Sequence, residues 1–268
     1  MTEITNDNEM IAGNELQPEQ ETNIFKWLLE PKRFLGMLTI SLIALALGLR
    51  MVFENLAFTV GLDFYEPEFQ QTWMPILYAE LAFVASIGAI STLYIWVTRE
   101  KDASAITPKV ELDRYFILLG TLAIIAVWAA PVAFLSIESD AAWHQVTIRD
   151  TDFTPSHITI FYFAIPLLTA LLVATFAWAH TRLPMYMNRI SIPFVIVITG
   201  IFMIMPNYGF NEWGHTFFYM EELFAAPIHY GFVLMGWAFF ALVPLLVQML
   251  DRMGTLIPIV AAENVKNG

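Results

Sequence analysis

The residues of this 268-residue chain best suited to chemistry fall into two matched sets. Asp140 precedes His144 by four positions, and His157 follows after twelve intervening residues; Asn211 precedes His215 by four, and His229 follows after thirteen. Groups four apart on a helix share a face, with Cβ atoms about 5–6 Å apart, close enough to clamp one ion. In each set a third imidazole arrives from the next element. Two imidazoles and one oxygen could hold a metal at about 2.0–2.1 Å and leave positions open for water, dioxygen or substrate. Copper, zinc, iron and nickel all accept such donors. The chain has no Cys, which excludes disulfides, thiolate catalysis, iron–sulfur clusters and Cys-based zinc sites without choosing among the remaining metals. A single interfacial His is more often a hydrogen-bonding residue than a ligand, but two matched sets in a chain with five His favour ligation. His180, beside Trp178 and Arg182, has no such company and reads as structural.

The elements that must position these groups are membrane helices. Apolar residues make up 57% of the chain and charged residues only 14%, too few for an ordinary water-soluble domain. With 13 scattered Lys and Arg and a net charge of −12, nucleic acid is excluded as a partner. Six stretches of roughly 20 apolar residues predict helical spans at 34–53, 74–97, 115–137, 158–179, 190–206 and 228–250. The fold class is therefore all-α, a polytopic transmembrane bundle of about six spans, with short outward loops and helix breaks carrying the candidate ligands. Residues 1–24 read as a disordered acidic tail, 25–33 as an interfacial segment, 34–250 as the bundle and 251–268 as a C-terminal tail. Eleven of the 13 cations fall in the tails and in alternate connections, which predicts that both termini are cytoplasmic. The other connections, 54–73, 138–157 and 207–227, then face away from the cytoplasm and carry 11 of the 25 acids and four of the five His, counting His229 at their edge.

Two other classes deserve weight. His–His intervals of this length could hold haems in an electron-transfer membrane subunit, but Arg149, Asp150, Asp152 and Pro155 in one interval, and Glu221, Glu222 and Pro227 in the other, argue for a loop or helix break in each. A metal-linked transporter could use Arg50 and Glu80, although an outer-interface ion pair or snorkelling explains both more simply. Trp143, Trp213 and Tyr230 read mainly as part of an interfacial aromatic belt.

The segments Asp140-Ala-Ala-Trp-His144 through Thr154-Pro-Ser-His157, and Asn211-Glu-Trp-Gly-His215 through Pro227-Ile-His229-Tyr230, closely resemble the C subunit of the copper membrane monooxygenases. That family includes the particulate methane, ammonia and short-chain hydrocarbon monooxygenases. The resemblance extends through Glu66-Pro-Glu-Phe69, Trp73 and Thr181-Arg-Leu-Pro184, and covers roughly residues 30–250. It implies two metal sites, one at Asp140, His144 and His157 and the other at Asn211, His215 and His229, with catalysis expected at the second. It also implies copper as cofactor, with zinc as a substitute in one site, and A and B subunits as partners in a trimer of heterotrimers. A quinol or comparable donor would supply electrons, in a bacterial inner or intracytoplasmic membrane. Glu212, Glu221, Glu222, Arg149 and Asp152 are candidates to orient ligands or carry protons. The wording around His215 and His229 is nearer to methane and hydrocarbon oxidisers than to ammonia oxidisers, which leaves ammonia as the alternative substrate.

Overall fold

The computed structural model describes residues 30–149, 151, 153–200 and 221–267. The acidic tail, most of the interfacial segment, Asp150, Asp152, Asn211, Glu212, Trp213 and His215 lie outside the described residues. Glu221, Glu222, His229 and Tyr230 are described by their helical backbone alone.

The regular structure is helical. Helix α1 spans Pro31–Val60, α2 Pro67–Val97 and α3 Pro108–His144, each opened by a proline whose missing N–H would have no helical partner at that position. Thr107 caps α3 by accepting a hydrogen bond from the Val110 amide. Helix α4, Pro155–Thr159, passes through a π-helical turn, Ile160–Ala164, into α5, Ile165–His180. A short α6, Pro184–Met187, precedes the helical stretch α7 at 192–200 and the long α8, Glu221–Asn267. Among the described residues five helices are long and apolar enough to cross a membrane, and the protein is membrane-embedded. The fifth sequence-predicted span, 190–206, is helical from 192 to the end of the described stretch at 200.

Helices α1 and α3 run parallel. Trp128 Nε1 donates to the Leu42 carbonyl at 2.8 Å and Trp143 Nε1 to the Ala57 carbonyl at 3.2 Å, the same sequence offset at both ends. A constant offset requires two helices pointing the same way, as an intervening crossing by α2 dictates. Apolar side chains on the outer faces, such as Ile40, Leu47, Leu93 and Val97, stay exposed, which is stable against lipid or partner subunits rather than water.

Three details differ from the sequence reading. The outward connections are shorter than 54–73 and 138–157, because α1, α2 and α3 run past the apolar stretches and leave only 61–66 and 145–154 between helices. The stretch 251–267, read as a tail, continues α8: Met253 and Leu256 are buried, and Arg252 makes two hydrogen bonds to Glu111 near the start of α3 at 2.8 and 2.7 Å. Arg50 and Glu80 do not pair with each other. Arg50 bonds Glu54, Ser139 and the Leu135 carbonyl, whereas Glu80 is buried on the interior face of α2. His180 is structural as expected, with Nδ1 on the Phe176 carbonyl at 2.8 Å and Nε2 accepting from the Ser191 amide at 3.3 Å.

Candidate metal centre

Asp140 and His144 occupy the last turns of α3, and His157 the first turn of α4. Thr154 is the N-cap of α4, its hydroxyl accepting from the His157 amide at 3.2 Å, and Pro155 sets the first helical φ. This cap fixes the buried His157 at the helix entrance. Gly61 lets the end of α1 approach the same point: a Cβ there would stand 2.6 Å from the Ala57 carbonyl oxygen and 2.7 Å from Pro155 Cγ, both too close.

The three side chains converge, each offering a ligand atom within 4.8 Å of the others. Asp140 Oδ1 lies 3.4 Å from His157 Nε2 and 3.4 Å from His144 Nδ1. Donors of a tetrahedral centre with bonds of about 2.1 Å stand about 3.4 Å apart, so the spacing of Asp140 Oδ1 and His157 Nε2 fits a single ion. His144 Nδ1 also lies 2.7 Å from the Asp140 carbonyl oxygen. With Nδ1–H donating to that carbonyl, Nε2 carries the lone pair that a ligand needs, the arrangement by which a backbone oxygen orients a ring ligand. Ser156 Oγ donates to Asp140 Oδ1 and lies 3.2 Å from Thr154 Oγ1, tying the carboxylate to the cap that holds His157. Partial burial would by itself raise the Asp140 carboxyl, but hydrogen bonds from His157 and Ser156 and the nearby imidazoles outweigh it and hold the group below its ordinary range.

Ser156 and Thr154 were missed as site residues, although Thr-Pro immediately before a helical run is a legible cap signal. Aromatic rings close the surroundings. Phe161 stands 4.7 Å from the His157 ring, Tyr162 stacks on Phe153 at 5.4 Å, and Trp143 lies edge-on to His144 at 5.1 Å.

The loop 145–154 is pinned to the turn after α1. The amides of Ile148 and Arg149 donate to the Leu62 carbonyl at 2.8 and 3.2 Å, and the Arg149 guanidinium pairs with Asp63. Burial alone would raise the Asp63 carboxyl, but the Arg149 hydrogen bonds, the Tyr65 amide and the Arg149 charge hold it below its usual range. Because its folded pKa is depressed, the stabilisation is present above the unfolded value near ~3.9 and is lost as pH falls through the folded value. The protection of the 148–149 amides against hydrogen exchange, taken relative to the intrinsic rate at each pH, should therefore hold from neutral pH down to about 4 and fall only in more acid solution. In Asp63→Asn the exchange should already be fast at neutral pH.

Among the six sequence-predicted ligands, the structure brings Asp140, His144 and His157 together. Asn211 and His215 lie outside the described residues, and His229 is placed on the helical backbone of α8. The interval between His144 and His157 is a loop, not one haem-bearing helix. In the second interval, 221–229 is helical with Pro227 inside it.

No curated protein matches the chain. A family model for the C subunit of ammonia monooxygenase/methane monooxygenase matches residues 17–260. That match takes in every helix from α1 to α7, nearly all of α8 and the whole Asp140, His144 and His157 cluster, so the chain belongs to this family and is the C subunit of a membrane monooxygenase, working with that enzyme's other subunits.

Proposed function

We propose that this subunit serves a copper-dependent monooxygenase that hydroxylates a small apolar substrate, methane or a short-chain alkane. Copper is held at Asp140, His144 and His157 and again at Asn211, His215 and His229, the second set being the seat of catalysis. The A and B subunits complete a trimer of heterotrimers in a bacterial inner or intracytoplasmic membrane, both termini of this chain are cytoplasmic, and a quinol-class donor supplies electrons. The observation that supports the copper reading is the convergence of two imidazoles on the Asp140 carboxylate, with ligand atoms within 4.8 Å of one another and His157 Nε2 3.4 Å from Oδ1, in a chain without thiolate. Ammonia is the second reading, because the family description covers both substrates.

Bound copper would supply dioxygen activation. The chain's own residues prepare the place for it. Ser156 and Thr154 fix the carboxylate and the His157 backbone, the Asp140 carbonyl sets the His144 ring, and Phe161 packs against the His157 ring.

The test uses the intact complex, stripped of metal by a chelator and assayed with methane, butane and ammonia. Stripping should abolish product formation, and copper should restore it where zinc does not. His215→Ala and His229→Ala should abolish product while the complex still assembles. Restoration by another metal alone would remove copper, turnover of ammonia alone would replace the substrate, and full activity in both variants would remove catalysis from the second set.

A further inference from the structure

Glu80 is the one buried acid of the bundle that the site does not use and no cation neutralises among the described residues. Its side chain is 7% exposed, and neither carboxyl oxygen has a hydrogen-bond partner there. Its position along α2 is well bracketed. One and two turns toward the helix start, Leu77 and Trp73 belong to the packed cluster that contains Trp143 and Ile158, the chain neighbours of His144 and His157. One turn the other way, Phe83 meets Phe163 with ring centroids 5.8 Å apart, and Val84 joins the cluster around Phe163 and Leu167. Glu80 is thus level with the π-helical turn Ile160–Ala164. Its axial separation from His157 is no more than the about 9 Å that six helical residues span.

An ionised carboxylate is strongly disfavoured in such a setting unless paired, so a lone buried carboxyl is kept as the neutral acid. π-Turns inside helices concentrate at functional sites, and this one begins three residues after His157, at the level of Glu80. We propose that Glu80 is a proton-supplying residue for the monooxygenase reaction. This rests on the monooxygenase reading above. Monooxygenation places one oxygen atom in the substrate and reduces the other to water, consuming two electrons from a quinol-class donor and two protons. The Glu80 O–H bond breaks and its proton enters that water, solvent reprotonates the carboxylate, a second O–H cleavage supplies the other proton, and solvent restores the acid before the next turnover.

The intact complex is compared with Glu80→Gln, which keeps shape without the acid, and with Glu80→Asp, which keeps the acid on a shorter stem. The wild type should show an infrared carboxylic-acid C=O band at neutral pH that shifts in D2O and vanishes in E80Q. Turnover in E80Q should fall by about 100-fold with metal content unchanged, and E80D should retain more activity than E80Q. The wild-type solvent isotope effect on turnover should change in E80Q. Absence of the Glu80-dependent band, undiminished turnover in E80Q, equal loss in both variants, or loss of metal along with product would each overturn the proposal. The infrared band needs no bound copper, so a failure of the copper reading would register separately, in the reconstitution assay.

Discussion

Replacing His157 with alanine should empty the centre at the junction of α3 and α4, lowering its metal affinity by more than 100-fold while the complex still assembles. His157 is buried, enters from a different helix than the other two donors, and is the only imidazole that α4 contributes. Removing it leaves Asp140 and His144, two donors from one helix face, too few to outcompete water and chelators. Ser156→Ala should have a smaller effect of the same kind, about 10-fold, since it deletes only the hydroxyl that steadies Asp140. Elemental analysis and the copper electron-paramagnetic-resonance signal of the purified complex check both. Wild-type metal content and spectrum in His157→Ala would show that the ion sits elsewhere.

The second large effect falls on Trp143. Its indole is 1% exposed, packs with Phe53, Ala57, Trp73 and Ile158, and donates to the Ala57 carbonyl. In lipid there is little hydrophobic drive between helices, so close van der Waals packing carries much of the association energy. Trp143→Ala should cost about 3–5 kcal/mol, by cavity formation and loss of that hydrogen bond. Since residue 144 follows directly, the metal site should loosen with it. Trp143→Phe keeps most of the packing and should cost roughly 1–2 kcal/mol. Thermal release of this subunit from the complex, measured alongside metal content, separates the two variants. Equal stability of Trp143→Ala and wild type would remove the Trp143 cluster from the supports of the site.

Much of this centre is legible in the residues. Asp140 and His144 declare themselves because a spacing of four has one meaning on a helix, and His157 because a loop with charges and a proline must bring the chain back beside its own exit point. Ser156 and Thr154 escape notice because a hydroxyl's role depends on which oxygen it meets across the loop, and short-range pattern does not contain that distance. The reading of 251–268 as a tail fails for a related reason. Asp251 and Arg252 interrupt the apolar run, yet α8 continues because Arg252 finds Glu111 on α3, and Met253 and Leu256 find the interior. Arg50 and Glu80, both lone charges within apolar stretches, look alike in sequence. One lies a helical turn from Glu54 and the other faces inward, a difference set by helix rotation rather than residue type.

The π-turn before Pro166 carries a consequence for inheritance. It accommodates one more residue than an α-helical path would over the same distance, just ahead of a proline whose ring and missing N–H disturb the preceding turn. Deleting a single residue between His157 and Pro166 would let the path close into a regular α-helix over the same distance and leave Leu167, Leu172 and Ala179 facing the interior, whereas adding one would turn them by about 100°. Over this stretch the loss of one codon should therefore be tolerated better than the gain of one.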